Sequence, residues 1–542
     1  MRKILPGWML LVAIVMVVTT IEGIVRYFSP IPFEDQWDAY IGFIHALYDG
    51  GYRAWWDPQM EHRIVFSRVL FWLDYKVFGG LNLFSVITVS VLMVMLCVAL
   101  IYEQRRDGDR ENRWFVAFMT VGLMFSWLQY ENFTSGFQSQ FISVYLFAML
   151  GFAQFSRVDR AERRLPVAIL FAFLSILSMA NGLAALFVMA IQGVLLRRRP
   201  REIVTVGAVG AIAAEIYLRG LKTNLLPVPP AMAGEHMRAL RFFFVFLGNP
   251  VSYLGGSNLT AGIFGLILFA IAASVILWLF VTRAVTPYRS FLIASYGFVI
   301  ASAIGVSHGR WMIGFDAAHD SRYTTPALLG CVVLAMLLLE VLPNRRVLVA
   351  SAVAIFATCL VPLQAVALGH IELMPHFVRG AIYDWKLAVL GQKIGFDHPA
   401  LSSKIFPLIA HDRFLNQADF ASAMNIGPYA SGWLHDAGVV KYDPALRNDA
   451  LCVGFLDGAG ADEIGRTARG WAIATRFAQP ETLVVLVDES NQTVGYGVTG
   501  MSRPDVKDKL DSGWLGFAKR GSGQLQAYAY VGGKYCHLRA AN

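Results

Sequence analysis

Charge is scarce in this chain: only 15% of its 542 residues are Asp, Glu, Lys or Arg, where a soluble globular protein carries about 25%. That shortage excludes an ordinary soluble enzyme. Cysteine is scarcer still, with five residues, and no Cys/His spacing matches a zinc site. Neither a Walker nor a Rossmann glycine pattern occurs, so chemistry driven by ATP or a nucleotide sugar has no evident home.

What the chain has instead is apolar length. Hydrophobic residues make up 56% of it, mean hydropathy is +0.52, and apolar runs near the span of a roughly 30 Å hydrocarbon core recur through the first two thirds. The pattern predicts a polytopic α-helical membrane protein with eleven spans, at about 8–26, 83–102, 114–128, 138–155, 166–180, 183–196, 203–218, 260–282, 290–307, 324–342 and 347–366. The third, fifth, sixth and seventh are short by this measure. The first opens Met1-Arg2-Lys3 but continues into Glu22, Arg26 and Tyr27 with no small-residue cleavage site, and reads as a retained helix.

Net charge is 46 − 38 = +8, yet residues 367–542 hold 17 basic and 17 acidic side chains, so the whole excess lies in 1–366. The pI of 9.2 therefore reports membrane topology, and no nucleic-acid partner is needed to explain it. With a cytoplasmic N-terminus, the inner segments hold 18 Lys and Arg in 45 residues and the outer loops 10 in 124. By the positive-inside rule this predicts an inner-membrane, multi-pass protein whose C-terminal region is periplasmic. The longest inner loop has 11 residues, and its Asp107-Gly108-Asp109 reads as a solvated turn.

Three regions follow: a membrane domain over 1–366, a helical extracytoplasmic connector over 367–448 broken by Pro399, Pro407 and Pro428, and a small β-rich domain over 449–542. Six short β-type runs in the last suggest an antiparallel sandwich. Such a module binds carbohydrate or a partner, or supports the membrane part; the sequence weighs these equally. Cys97, Cys331 and Cys359 lie in spans, whereas Cys452 and Cys536 are the two outer-tail cysteines and are expected to form a disulfide. Closing a loop of that length stabilises by about 4–5 kcal/mol in the chain-entropy model.

Polar clusters crowd the outer face. After Pro30 and Pro32 comes Glu34-Asp35-Gln36-Trp37-Asp38, opening a helix whose stripe of Trp37, Ile41, Ile44 and Tyr48 is expected to lie apolar side down on the bilayer. Glu61-His62-Arg63 follows Trp55-Trp56, a pair suited to the headgroup interface. Between the ninth and tenth spans stand His308, Arg310, Asp316, His319, Asp320, Arg322 and Tyr323, leading into Thr324-Thr325-Pro326. Arg322 is placed either to grip a phosphate bidentately or to snorkel to the interface. Asn181-Gly182, Glu131 and Glu215 add weaker polar signals.

An acidic pair after the first helix (EDQWDAY), a long first outer loop with a second polar motif (EHR), short paired helices around SMANG and an SRYTTP entry to a late helix together resemble the GT-C superfamily of integral membrane glycosyltransferases. The likeness covers most of 1–366, and the order and topology of the motifs carry it. It implies transfer of a sugar from a polyprenyl-phosphate donor to an envelope glycan, lipid or protein acceptor on the extracytoplasmic face, with inversion. By position Asp35 resembles the general base, with Glu34 and Asp38 as alternatives, and Arg322 resembles the residue that binds the carrier phosphate. Glu61, His62, Arg63, His308, Arg310 and Tyr323 are the candidate substrate-binding side chains around it. Metal use varies in that superfamily; a divalent metal is compatible with this sequence and not required by it. Two other classes fit less well: a lipid-linked sugar flippase or transporter, which places charges near the midplane and shows repeats, and an envelope polysaccharide polymerase or ligase.

Overall fold

A computed structural model describes residues 4–157, 161–221, 235–253, 257–369, 379–396, 398–406, 410–461, 465–475, 481–506, 511–521 and 523–540. The chain divides into two compact units, one of Met1–Phe28, Trp55–Leu70 and Ser85–His376, the other of Ser29–Ala54, Phe71–Phe84 and Phe377–Asn542. The first outer loop is thus shared between them.

Among the described residues seven helices are long and apolar enough to cross a membrane: Ile4–Tyr27, Leu83–Asp107, Gly136–Phe155, Asn258–Val281, Pro287–Ile313, Ser321–Val341 and Pro343–Gly369. This corrects the expected eleven. Of the four lost, Arg113–Met124 and Ala184–Leu195 have 12 residues each, about 18 Å of helix against a core of about 30 Å. Ala161–Ile176 has 16 residues, and Pro200–Leu218 is long enough but carries Arg201, Glu202 and Glu215. Burial separates centre from periphery. Ser321–Val341 is 83% buried and Asn258–Val281 only 17%, the latter exposing Leu259, Ile263, Leu266, Ile267 and Leu277 as a lipid-facing surface requires. Cys97 is buried, Cys331 half-buried and Cys359 exposed.

The second unit ends in seven strands: β1 (Cys452–Ala461), β2 (Arg466–Ala474), β3 (Leu483–Val487), β4 (Thr493–Met501), β5 (Gly513–Ala518), β6 (Gln526–Val531) and β7 (Lys534–Ala540). They close in the order β1-β2-β5-β4-β3-β6-β7, every pairing antiparallel except β1 with β7. The expected sandwich is therefore a closed barrel. The difference lies in β5, whose Gly-Trp-Leu-Gly-Phe-Ala is broken by two glycines and does not read as a strand, yet bridges β2 and β4. Trp514, Val484, Leu486, Ala527, Ala529 and Leu538 fill the interior. Cys452 and Cys536 are joined by a disulfide, Cα to Cα 5.9 Å, beside the β1/β7 seam.

Helices Arg379–Lys393, Pro399–Ile405 and His411–Ala423 precede the barrel, and Pro407 lies outside the described residues. The Tyr383 hydroxyl donates to the Val498 carbonyl at 2.9 Å and accepts from the Leu515 amide at 2.6 Å, fastening the first of these helices to β4 and β5.

Candidate functional site

In the second unit, the Pro-Phe-Glu-Asp turn is locked by its neighbours. Phe33 stacks on Trp385 at 4.1 Å and its amide donates to Gln36 Oε1, whose own amide nitrogen reaches Asn82 Oδ1 at 3.1 Å. Glu34 sits at φ +46°, a left-handed conformation that a glutamate adopts at some cost, and its amide donates to the Ile405 carbonyl at 3.0 Å. Asp35, half-buried, starts the helix, which runs as a π-helical turn over Trp37–Gly42 and as α-helix over Phe43–Tyr48.

Trp37, Ile41 and Ile44 of that helix's apolar stripe are buried in protein, which corrects the expected bilayer contact there, while Tyr48 stays half exposed. Trp37 meets Phe414 edge-on at 5.0 Å, His45 stacks on Phe420 at 4.1 Å, and both partners belong to His411–Ala423. Tyr40 stacks on Phe71 and donates to Asp74 Oδ2 at 3.1 Å. A partner helix nearly 380 residues away supplies the apolar cover that the sequence pattern assigned to lipid. The same helix claims Asp38: Arg413 Nε lies 2.8 Å from its carboxylate, Gln417 donates a further hydrogen bond, and only 6% of the Asp38 side chain is exposed. Burial raises the Asp38 carboxyl above its ordinary value against the lowering by Gln417 and Arg413.

In the first unit the chain brings Glu61, His62, Arg310 and Arg322 together. A tight turn presents the first two: Gln59 and His62 exchange both backbone hydrogen bonds, at 2.7 and 2.9 Å, with Met60 at φ +51° between them. Glu61 pairs with Arg310, the last residue of Pro287–Arg310, where a helix C-terminus favours a cation. Arg322 stands in the first turn of Ser321–Val341, where the dipole disfavours one. Asp320 Oδ2 at 2.6 Å and Glu131 Oε1 at 3.4 Å offset that penalty.

Burial and the Arg310 and Arg322 charges bring the His62 imidazole down to about 4, overcoming the opposite pull of Glu61. It is therefore neutral at pH 7, and its buried Nδ1 has no hydrogen-bond partner. Burial alone raises Glu61, but His62 and Arg310 outweigh it and hold the carboxyl below its ordinary value.

The SRYTTP entry is strapped down by amides from other segments. Ser321 Oγ accepts from the Glu131 amide at 3.0 Å, Asn132 Nδ2 donates to Thr325 Oγ1 at 2.7 Å, and Thr324 Oγ1 donates to Asn249 Oδ1 at 2.7 Å. Asn132 and Asn249 are fully buried. Neither is singled out by the sequence reading, although an amide next to aromatic residues, as Asn132 in Tyr-Glu-Asn-Phe and Asn249 shortly after Phe-Phe-Phe-Val-Phe, is the signal for such a strap.

The remaining expected residues lie elsewhere. Arg63 turns away, its guanidinium donating to the carbonyls of Trp56, Tyr217 and Arg219 and lying over the Trp56 ring at 4.7 Å. Tyr323 is buried between Phe141 and Phe246. His308 is exposed on the last turn of its helix. Glu215 forms an exposed pair with Arg219 at 3.0 Å, and Asn181 Nδ2 donates to Ser302 Oγ at 2.9 Å. Glu34, Asp35 and Asp38 belong to the second unit. Among the described residues no group of three His, Cys, Asp or Glu side chains is arranged to hold a metal ion. No protein-family model matches the chain, and no curated protein matches it.

Proposed function

We propose that the chain is an inner-membrane glycosyltransferase that moves a sugar from a polyprenyl-phosphate donor to a glycan, lipid or protein acceptor on the periplasmic side. The observation that carries this reading is the meeting of Arg310 and Arg322 with Glu61, Glu131 and Asp320 where Ser321–Val341 begins. Two guanidinium groups, a helix N-terminus and an adjoining apolar bundle suit a phosphate carried on a lipid tail.

In this reading the acceptor hydroxyl gives its proton to a carboxylate and its oxygen attacks the anomeric carbon from the face opposite the phosphate. The bond from that carbon to the phosphate oxygen breaks, the electron pair leaves with the polyprenyl phosphate, and the configuration inverts. The cations stabilise the departing charge, so no general acid is needed. Asp35 is the base that the sequence resemblance implies. Asp38 is the weaker alternative because Arg413 and Gln417 already occupy its carboxylate, and Glu34 remains the second.

The test is purified protein in liposomes given radiolabelled polyprenyl-phosphate sugars. Release of sugar from the carrier is expected, with Asp35→Asn lowering turnover about 10²- to 10⁴-fold and Glu34→Gln and Asp38→Asn as controls. Movement of the intact lipid across the bilayer without sugar release makes the protein a flippase, and retained turnover in all three variants ends the assignment of this loop.

A further inference from the structure

At the far end of the helix bundle from Arg322 lies a second polar centre that the proposed reaction does not use. Helix Ser139–Phe155 starts beside Gln138, whose amide donates to Glu131 at 2.9 Å, and ends two residues before Arg157. Its 17 residues separate the two centres by about 25 Å, close to the thickness of the hydrocarbon core.

Between Leu83–Asp107, Ser139–Phe155 and Pro287–Arg310 runs a groove of about 460 Å³, walled by Val94, Val98, Leu146, Met149, Leu150 and Phe291. Val94, Met95, Val98 and Tyr102 are exposed along it, so it opens sideways towards lipid. Only one end is polar, formed by Tyr102, Glu103, Gln154 and Arg157. There two guanidinium groups converge on one neutral oxygen: Gln154 Oε1 accepts from Arg157 Nη1 at 3.2 Å and from Arg164 Nη1 at 2.9 Å. Arg157 also pairs with Glu103, whereas Arg164 has no carboxylate partner among the described residues. The buried Nε of Arg157 has no hydrogen-bond partner.

Glu103 meets the charge of Arg157, and the second guanidinium on the same amide oxygen repels the first unless a further anion joins them. An apolar slot open to the bilayer that ends at Arg157, with Arg164 bonded to the same Gln154 oxygen beside it, has the chemistry of a lipid that bears a phosphate. We propose that the groove holds one acyl chain of an anionic phospholipid, with its phosphate against Arg157 and Arg164. A resident phospholipid is favoured over the polyprenyl carrier because this end of the bundle lies a full bilayer core away from Arg310 and Arg322. The site stands whether or not the protein transfers sugar.

Full-length protein in nanodiscs of phosphatidylcholine with a minor fraction of phosphatidylglycerol, released into detergent and weighed by native mass spectrometry, tests this. Phosphatidylglycerol is expected to be retained in preference to phosphatidylcholine and to raise the melting temperature. Arg164→Gln leaves the Arg157–Glu103 pair in place and is expected to cut that retention about fivefold, the worth of one cation near a lipid surface. Val98→Trp fills the slot without touching the cations, and is expected to lower retention of the chain-bearing lipid while soluble glycerol phosphate has no effect in either protein. Equal retention of the two phospholipids, or retention unchanged in both variants, overturns the proposal. So does displacement of phosphatidylglycerol by polyprenyl phosphate at equal mole fraction, which makes the groove a carrier site.

Discussion

His62 stands under the influence of Arg310, Arg322 and Glu61, and burial decides which form it takes. Its folded value near 4 lies below the ordinary 6.5, so the unfolded chain binds more protons between those two values. Stability from this residue is therefore complete above about pH 6.5 and is lost as pH falls towards 4. Melting measured from pH 7 down to pH 4.5 should show the decline, and His62→Gln should flatten it. On the proposed sugar transfer, Arg322 is tested by paired substitutions: Arg322→Ala should weaken donor use about tenfold or more, and Arg322→Lys less, because a lysine keeps charge but loses the bidentate fork. Unchanged donor KM and kcat in both makes Arg322 an interfacial anchor. Arg310 and Arg322 were both legible as cations at the mouths of helices. Of their carboxylate partners Asp320 stands two residues from Arg322 and was in view, whereas Glu61 lies 249 residues from Arg310 and Glu131 lies 191 from Arg322, and no local pattern encodes such pairings.

Hydrophobic run length identified the seven long helices and failed for the short ones. A run of 12 residues reads as a compressed span, but on a largely buried helix such as Arg113–Met124 it is what cover by protein on most sides demands. The SMANG turn shows the other limit. A Cβ at Gly182 would stand 2.2 Å from the Ser175 carbonyl oxygen, with the Ile176 nitrogen at 2.6 Å. The Gly182→Ala change should therefore force the turn away from the preceding helix and cost about 1–3 kcal/mol, the usual penalty of overpacking. A thermal or denaturant melt checks it, and a loss under 0.5 kcal/mol would mean that the turn relaxes freely. The sequence marks Asn181-Gly182 as a break, but the approach that makes glycine obligatory is a contact between segments. In the barrel, β5 was missed for a related reason: its strand character comes from β2 and β4 on either side.

Across the chain, orientation is open to a direct check. A reporter active only outside the cytoplasm should work when fused after Val366 or Asn542 and stay silent after Arg106; the reverse pattern would remove the basis for a periplasmic reaction. Non-reducing mass spectrometry should find Cys452 linked to Cys536, and Cys452→Ala should lower the stability of the tail by about 2–5 kcal/mol. The pairing was legible because the other three cysteines lie in expected spans, whereas the covering of Trp37 and His45 by Phe414 and Phe420 was hidden by the distance along the chain. Barrel closure also has a consequence for the order of synthesis. β1 borders β7, and their cysteines are 84 residues apart. At about 5–20 residues per second, β1 waits on the order of ten seconds for its final neighbour. During that interval Cys452 is a free thiol on an unpaired strand edge, so a nascent tail stalled in translation before Lys534 should be trapped by thiol-directed reagents that the finished barrel excludes.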